Sequence, residues 1–383
     1  MANQDQAGEQ ELPVIIIGAG VSGLLLAQHL RSNNIPFRIF ERDTDLTTRG
    51  VGWGLTLHWS LPALRFLLPE DLVARLPEAY VDRAAVARGE ASAFPFFDLS
   101  TGELKGASPR APESLRIRVT RERLRRLVAT DVDIQVRFCL GFPFSPLRSW
   151  GKGFQKYEER QDSVVVTFEN GSTVAGRALV ANTPTDTNVP RPVVLDAPGN
   201  TDGSTDKYSC QICISWPDRA GFLGKLEPTD YPGTNAGKIE LIRSFAEGWA
   251  EPFRSLVLGI PADTDVKHLD LSDYPPQKGL RSEGRVVLMG DAFHAMAMYR
   301  GEGANHAILD VLDFAEKVSP KMNTDFAGFR IALDAYEDAV VTRARPGVLA
   351  SRRACLDAHD WPRISPTSPL LSKREMKLQF DEE

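Results

Sequence analysis

The sequence predicts an α/β protein in which a Rossmann-like nucleotide-binding domain is interwoven with a sheet-based second domain and followed by C-terminal helices. Three observations carry that class. A continuous apolar strand, Val14 to Ile17, runs into Gly18-Ala19-Gly20-Val21-Ser22-Gly23 and then into a helical pattern. A second apolar run of the same kind, "GRVVLMGDA" at 284–292, recurs far down the chain. Strand and helix signals alternate along the rest, as they do in mixed α/β proteins.

Residues 1–12, "MANQDQAGEQEL", are polar and aperiodic, which predicts a disordered extension. Val14 to Ile17 shows no polar alternation, the mark of a parallel strand covered on both faces. The helix that follows buries Leu24, Ala27 and Leu30 and stops near Asn33-Asn34; "FRIFERD" is the next strand. Residues 91–110 are loop-rich, and "RIRVTRERLRRLV" restores a strand and a helix. Thr120 is the expected N-cap, with Glu122 in the first turn and Leu124, Leu127 and Val128 on one face. "SVVVTFENGSTV" alternates β-formers around Asn170-Gly171, a hairpin signal. Residues 182–206 carry no periodicity, and 208–258 mix strand-like and irregular stretches that suit a sheet-based lobe. Helices are expected after Ala304 and after Asp325, with Pro346 ending or kinking the last. The tail "SKREMKLQFDEE" reads as a solvated end. The chain so divides into a discontinuous nucleotide-binding domain (13–80, 111–182 and 284–320), a sheet-based domain (81–110 and 183–283), and C-terminal helices and tail (321–383).

Composition removes several function classes. A net charge of −6 argues against a general nucleic-acid footprint. The longest apolar run, around Val14 to Ala27, is broken by glycines and too short to span a bilayer, and no basic segment precedes it. The expectation is a soluble cytoplasmic protein with neither nucleic acid nor membrane as partner. Cys210 and Cys213 form a CxxC within "KYSCQICISW", which reads as a strand. Residues three apart on a strand face opposite ways, with Cα atoms roughly 10 Å apart, beyond disulfide reach. Without a second CxxC or a His pair there is no zinc site, so the four cysteines read as buried or idle thiols.

The chemistry concentrates at two places. In the first, Gly18 permits a tight turn, Gly20 lets a diphosphate approach the backbone, and Gly23 allows close helix–strand packing. Glu41 ends the second strand, 18 residues after Gly23, where a carboxylate can accept both ribose hydroxyls of an adenosine. The bland alternative is a glycine-rich turn in an ordinary α/β protein. In the second, "VVLMGDAFHAMAMYRGEGANHAILD", Asp291 at a strand end can accept from a ribityl hydroxyl. The helix opening at Gly301, Gly303, Ala304 and Asn305 would turn its N–H groups and positive end toward a flavin pyrimidine. Together the two stretches favour FAD over NAD.

The Asp291 stretch resembles the "GD" motif of FAD-dependent aromatic-hydroxylase-type (para-hydroxybenzoate hydroxylase-like) monooxygenases, and the resemblance is closest to fungal enzymes of secondary metabolism. It extends over Gly18 to Arg42, "GVGWGLTLHWSLPALRFLLP", "RVTRERLRRLV" and Gly284 to Asp313. The resemblance implies FAD, with NAD(P)H as a transient reductant, and insertion of one oxygen from O2 into an electron-rich small molecule. It matches Arg121 to an arginine that reaches the FAD diphosphate; Arg42, beside Glu41, is placed to cover the adenine or a phosphate, and Gly54 is also expected at the cofactor. Arg116, Arg118, Arg123, Arg125 and Arg126 read as surface residues, and His294 and His306 as packed rather than catalytic. The sequence also departs from the family. Thr183 and Pro184, in "LVANTPTDTNVPR", stand where an Asp-Gly pair is usual, and Ala297-Met298 replaces a common Pro-Pro. Several dozen residues before "CQICISWP" are missing relative to the family. Two readings follow: a monooxygenase with weak FAD retention and slow reduction, or a non-redox enzyme or small-molecule binder on a degenerate flavoprotein fold.

Overall fold

The computed structural model describes residues 11–43, 54–112, 114–132, 134, 153–182, 194–196, 212–217, 220, 226–227, 229–267 and 271–381. Its centre is a four-stranded parallel sheet in the order β9-β8-β1-β2, made of β1 (Val14–Ile17), β2 (Phe37–Phe40), β8 (Ala178–Ala181) and β9 (Val286–Leu288). β1 is buried along its whole length because both faces are covered. Val14 and Ile16 face the main core, which includes Leu24, Ala27, Ile308 and Val340 from the helices. Ile15 and Ile17 point the other way, against Val164, Val166, Phe168 and Val174. The strand's period of two thus divides one apolar run between two layers.

That second layer is an antiparallel sheet of β5 (Phe154–Glu159), β6 (Val164–Phe168) and β7 (Thr173–Gly176), in the order β7-β6-β5. Its β6–β7 hairpin turns at Asn170-Gly171 as the sequence predicts, with Gly171 at φ 77°. On the other face lie α1 (Val21–Ser32), α6 (Gly303–Lys317) and the long α7 (Phe326–Ala358). Two further elements frame the site. β3 (Gly54–Leu57) pairs antiparallel with β4 (Ile117–Thr120), and α2 (Leu61–Leu67) and α3 (Arg121–Val128) follow them. Thr120 caps α3, its hydroxyl accepting from the Arg123 N–H at 3.3 Å. α1 ends at Asn33, followed by Asn34 at φ 55°.

Several expectations fail, each for a tertiary reason. Pro346 does not end the last helix, which runs 33 residues through it. Val340, Val341 and Ala344 before the proline, and Val348, Leu349 and Ala350 after it, are all buried, and packing outweighs one lost backbone bond. Residues 208–258 are not sheet-based where described: 212–217 form no strand, and 235–258 hold α4 (Asn235–Ala246) and α5 (Phe253–Leu258). Thr234 caps α4, and Ile239, Ile242 and Ala246 bury its helical stripe. Residues 91–110 contain short paired strands, Pro95–Phe97 with Leu104–Ala107 among them. The tail is not simply solvated, because Arg374 donates to the carbonyls of Arg300 and Leu370. Cys213 is exposed and Cys355 half-buried, neither in a disulfide, which is compatible with idle thiols; Cys139, Cys210, Thr183, Pro184 and residues 1–10 lie outside the described residues. Among the described residues no helix is long and apolar enough to cross a membrane.

Candidate cofactor site

The fingerprint turn adopts the geometry its glycines permit. Gly18 sits at φ 100°, where its N–H donates to the Phe40 carbonyl at 2.8 Å. A Cβ on Gly23 would stand 2.1 Å from the Gly18 carbonyl oxygen, so only glycine lets α1 approach the strand this closely. A Cβ on Gly20 would meet nothing within 4 Å, leaving the backbone there open to a ligand. Gly20 is also the N-cap of α1 and supplies no side-chain cap, so the first-turn N–H groups face that open space.

Glu41 stands beside this turn. One carboxylate oxygen accepts from the Ala19 N–H at 3.0 Å and from Arg125 Nη2 at 3.1 Å; the other accepts from the Asp43 N–H at 3.1 Å. Arg125 was expected at the surface and is instead 3% exposed, with Nε donating to the Ala19 carbonyl at 2.6 Å. It lies one helical turn after Arg121 and one before Val128, on a face that turns inward. The run of arginines hid this, because helical spacing alone does not say which guanidinium has a buried carboxylate to meet. Arg121, the first residue of α3, is half-buried, Arg42 is exposed, and Gly54 opens β3 with nothing within 4 Å of a Cβ.

The second motif folds back onto the first. Gly290, at φ 62°, lies where a Cβ would be 3.2 Å from Ser22 Oγ in the first turn of α1. It opens a short helical turn, Asp291–His294, and Asp291 is exposed with no side-chain partner among the described residues. The turn is held from beneath. Asp310, fully buried, accepts from the Gly290 N–H at 2.8 Å and pairs with His294 Nε2 at 2.7 Å and Arg343 at 2.8 Å. Burial, which raises a carboxyl's pKa, is outweighed by His294 and Arg343, which hold Asp310 well below the usual carboxylate range. His306 is also buried, and burial with Arg343 beside it keeps the ring neutral. Both histidines are packed and hydrogen-bonded, as expected.

Gly301, at φ 64°, and Gly303 lead into α6, and a Cβ on Gly303 would meet only the Met296 side chain, at 3.6 Å. Asn305 uses its side chain structurally: Oδ1 accepts from the His58 N–H at 3.0 Å and Ser60 Oγ at 2.8 Å, and Nδ2 donates to the Thr56 carbonyl at 2.9 Å. This clamp ties β3 and α2 to the start of α6, so only the backbone of Gly303, Ala304 and Asn305 is left to meet a ligand. His58 beside it is pushed down to about 3, by burial first and then by Arg374, Arg116 and Arg300. Asn182, just after β8, has both side-chain polar atoms buried and unpartnered, 3.3 Å from where a Gly23 Cβ would stand. Open space at Gly20 and Gly301, a carboxylate at Asp291 without a partner among the described residues, and helix N-termini without side-chain caps make a set of groups that fits an FAD spanning both motifs.

A relative from Arthroderma benhamiae, a probable FAD-dependent monooxygenase, is 38% identical over 94% of this chain and 95% of its own length. The chain belongs to the FAD-dependent monooxygenases. Residues 277–345 match the FAD binding domain family, which covers the Asp291 and Gly301–Asn305 motifs. The FAD-dependent monooxygenase tazP of Aspergillus terreus is 29% identical over 81% of this chain and 90% of its own. Two solved structures share the fold of this monooxygenase at 19% identity. One is a salicylate hydroxylase substrate complex (TM-score 0.60, 94% of this chain and 92% of that one). The other is Klebsiella pneumoniae HpxO complexed with FAD and uric acid (TM-score 0.65, 94% and 92%). The monooxygenase uses FAD, and membership of this family does not favour the non-redox alternative. The alignment with the Arthroderma relative spans 428 positions, more than the 383 residues of this chain, so that relative carries segments this one lacks.

Proposed function

We propose that this monooxygenase binds FAD non-covalently across the two motifs and oxygenates an electron-rich small molecule of fungal secondary metabolism, with NAD(P)H as reductant. The supporting observation is the close approach of Gly290 to α1, where a Cβ would stand 3.2 Å from Ser22 Oγ, which puts the neighbouring Asp291 near the open end of that helix. The first turn of α1 holds the diphosphate, assisted by Arg121. Glu41 takes a ribose hydroxyl; three of the roughly four lone-pair sites of a carboxylate are already used by Ala19, Asp43 and Arg125, which leaves room for one hydroxyl rather than two. Asp291 accepts from the ribityl chain, and the N–H groups at Gly303–Asn305 meet the pyrimidine. Arg42 and Gly54 flank the cofactor. The chemistry supplied by bound FAD is electron acceptance from a nicotinamide and activation of O2. The positive end of α6 favours the negative charge that collects at the pyrimidine on reduction.

The sequence segments 13–80, 111–182 and 284–320 form the FAD domain in this reading, 81–110 and 183–283 carry the substrate, and the protein works in the cytoplasm. Thr183-Pro184 lacks both the carboxylate and the conformational freedom of Asp-Gly, which supports weak FAD retention and reduction by NADPH at least about tenfold slower than in a relative that keeps the pair. The test is to record the visible spectrum of the purified protein and then add NADPH without oxygen. A flavin band that bleaches slowly is expected. A protein that binds NAD and never FAD would overturn the site, and bleaching as fast as in such a relative would remove the weight placed on Thr183-Pro184.

A further inference from the structure

The C-terminal segment after α7 returns to the turn that opens α6 and meets it through two buried or half-buried arginines. Arg300, whose side chain is fully buried, donates from Nε to Glu302 at 2.6 Å, from Nη1 to Ser372 Oγ at 2.8 Å and to the Pro369 carbonyl, and from Nη2 to the Lys373 carbonyl at 3.2 Å. Arg374 crosses in the opposite direction, from Nε to the Arg300 carbonyl at 3.2 Å and from Nη2 to the Leu370 carbonyl at 3.0 Å. Between the two arginines lies Gly301 at φ 64°, a glycine whose backbone is soft unless its surroundings hold it.

Glu302 occupies the N-cap position of α6 yet makes no side-chain cap. An acceptor at this position would ordinarily bond to the first free N–H groups of the helix. Here its carboxylate, 1% exposed, is drawn sideways: one oxygen accepts from Arg300 and the other from Trp59 Nε1 at 3.1 Å. The first-turn N–H groups of α6 therefore keep no competing acceptor from this chain's own acid.

We infer that Arg300, braced by the strap of residues 369–374, is a positioning residue of the FAD site that pulls the Glu302 carboxylate off the N-terminus of α6 and so keeps that helix end open to the cofactor. The inference rests on the proposed FAD site. Without Arg300 the Glu302 carboxylate keeps its bond from Trp59 Nε1, while the oxygen that Arg300 held is left buried beside the uncapped N–H groups of α6 and free to bond to them. Self-capping then competes with the ligand for the same N–H groups. Arg374 acts one step further out, by holding the carbonyl side of the same turn.

The test is FAD affinity in the full-length protein, measured by flavin fluorescence titration of the apoprotein. Arg300→Met should weaken FAD roughly tenfold, the loss expected for competition by a charge-assisted hydrogen bond. The double variant Arg300→Met/Glu302→Ala should recover most of that affinity, because the competing acceptor is gone. A merely structural role predicts the reverse, a double variant as weak as the single one or weaker, and that result overturns the inference. Arg300→Met binding like wild type, while Asp291→Ala is weakened, overturns it too and leaves the site itself standing. Should Arg300→Met not fold, reciprocity supplies a second readout on the wild-type protein. FAD should slow tryptic cleavage after Lys373 and Arg374, and cleavage indifferent to FAD would overturn the strap's part in the site.

Discussion

Asp310→Ala removes the carboxylate on which the Gly290 turn rests. In the folded protein that carboxylate, fully buried, accepts from Gly290 N–H, His294 Nε2 and Arg343 Nη2 at 2.8, 2.7 and 2.8 Å. Alanine leaves a buried N–H without an acceptor, worth about 1–3 kcal/mol, and deprives Arg343 of one of its two carboxylates. Asp313 remains at 2.9 Å, so Arg343 is not wholly stranded. Removing one member of a buried ion pair costs about 3–5 kcal/mol, and because these losses share partners they do not simply add. The expected destabilisation is therefore about 3–5 kcal/mol, a large part of a typical folding free energy. Urea denaturation of apoprotein, followed by circular dichroism, measures it as a shift in midpoint at constant slope. A change below about 1 kcal/mol would refute the reasoning. It would mean that His294, Arg343 and the Gly290 turn are held by the surrounding packing and not by the carboxylate.

Other outcomes follow from the same geometry. Gly23→Ala puts a Cβ 2.1 Å from the Gly18 carbonyl, so both FAD binding and melting temperature should fall, and a variant with wild-type values would show that the turn can yield. Asp291→Ala, at an exposed position, should leave apoprotein stability within about 0.5 kcal/mol of wild type while weakening FAD about tenfold or more, as paired denaturation and titration curves would show. Arg125→Met strands Glu41 beside Ala19 and should cost about 3 kcal/mol or more in denaturation experiments. His58 and His306 have pKa values lowered in the folded state, His58 to about 3, chiefly by burial. Groups with lowered folded values stabilise the protein above the unfolded value near 6.5, so stability should decline as pH falls from 7 toward 5, the slope for each ring approaching about 1.4 kcal/mol per pH unit only once pH is well below 6.5. His58→Phe should reduce that slope by one proton's worth, and an unchanged slope would exclude His58 as a contributor.

The sequence by itself determined what depends on neighbours in the chain. The strand–turn–helix from Val14 to Ser32, the Thr120 cap, the Asn170-Gly171 hairpin and the glycine turn before α6 are each written within about a dozen residues, where periodicity and conformational preference act directly. Only the tertiary structure decided which charged groups are buried together. Arg125 meets Glu41 because α3 packs against the start of α1, and nothing within "RERLRRLV" distinguishes it from its exposed neighbour Arg126. The tail reads as solvated because its own residues are polar, yet buried Arg300 finds its partners about 70 positions away at Pro369, Ser372 and Lys373. Pro346 looked like a helix end because its local cost is certain, whereas the compensating burial comes from helices and strands elsewhere in the fold. Local rules assign an element from its own residues. A buried ion pair or a helix carried through a proline depends on free energy shared between distant segments, and that sum is formed only when they pack.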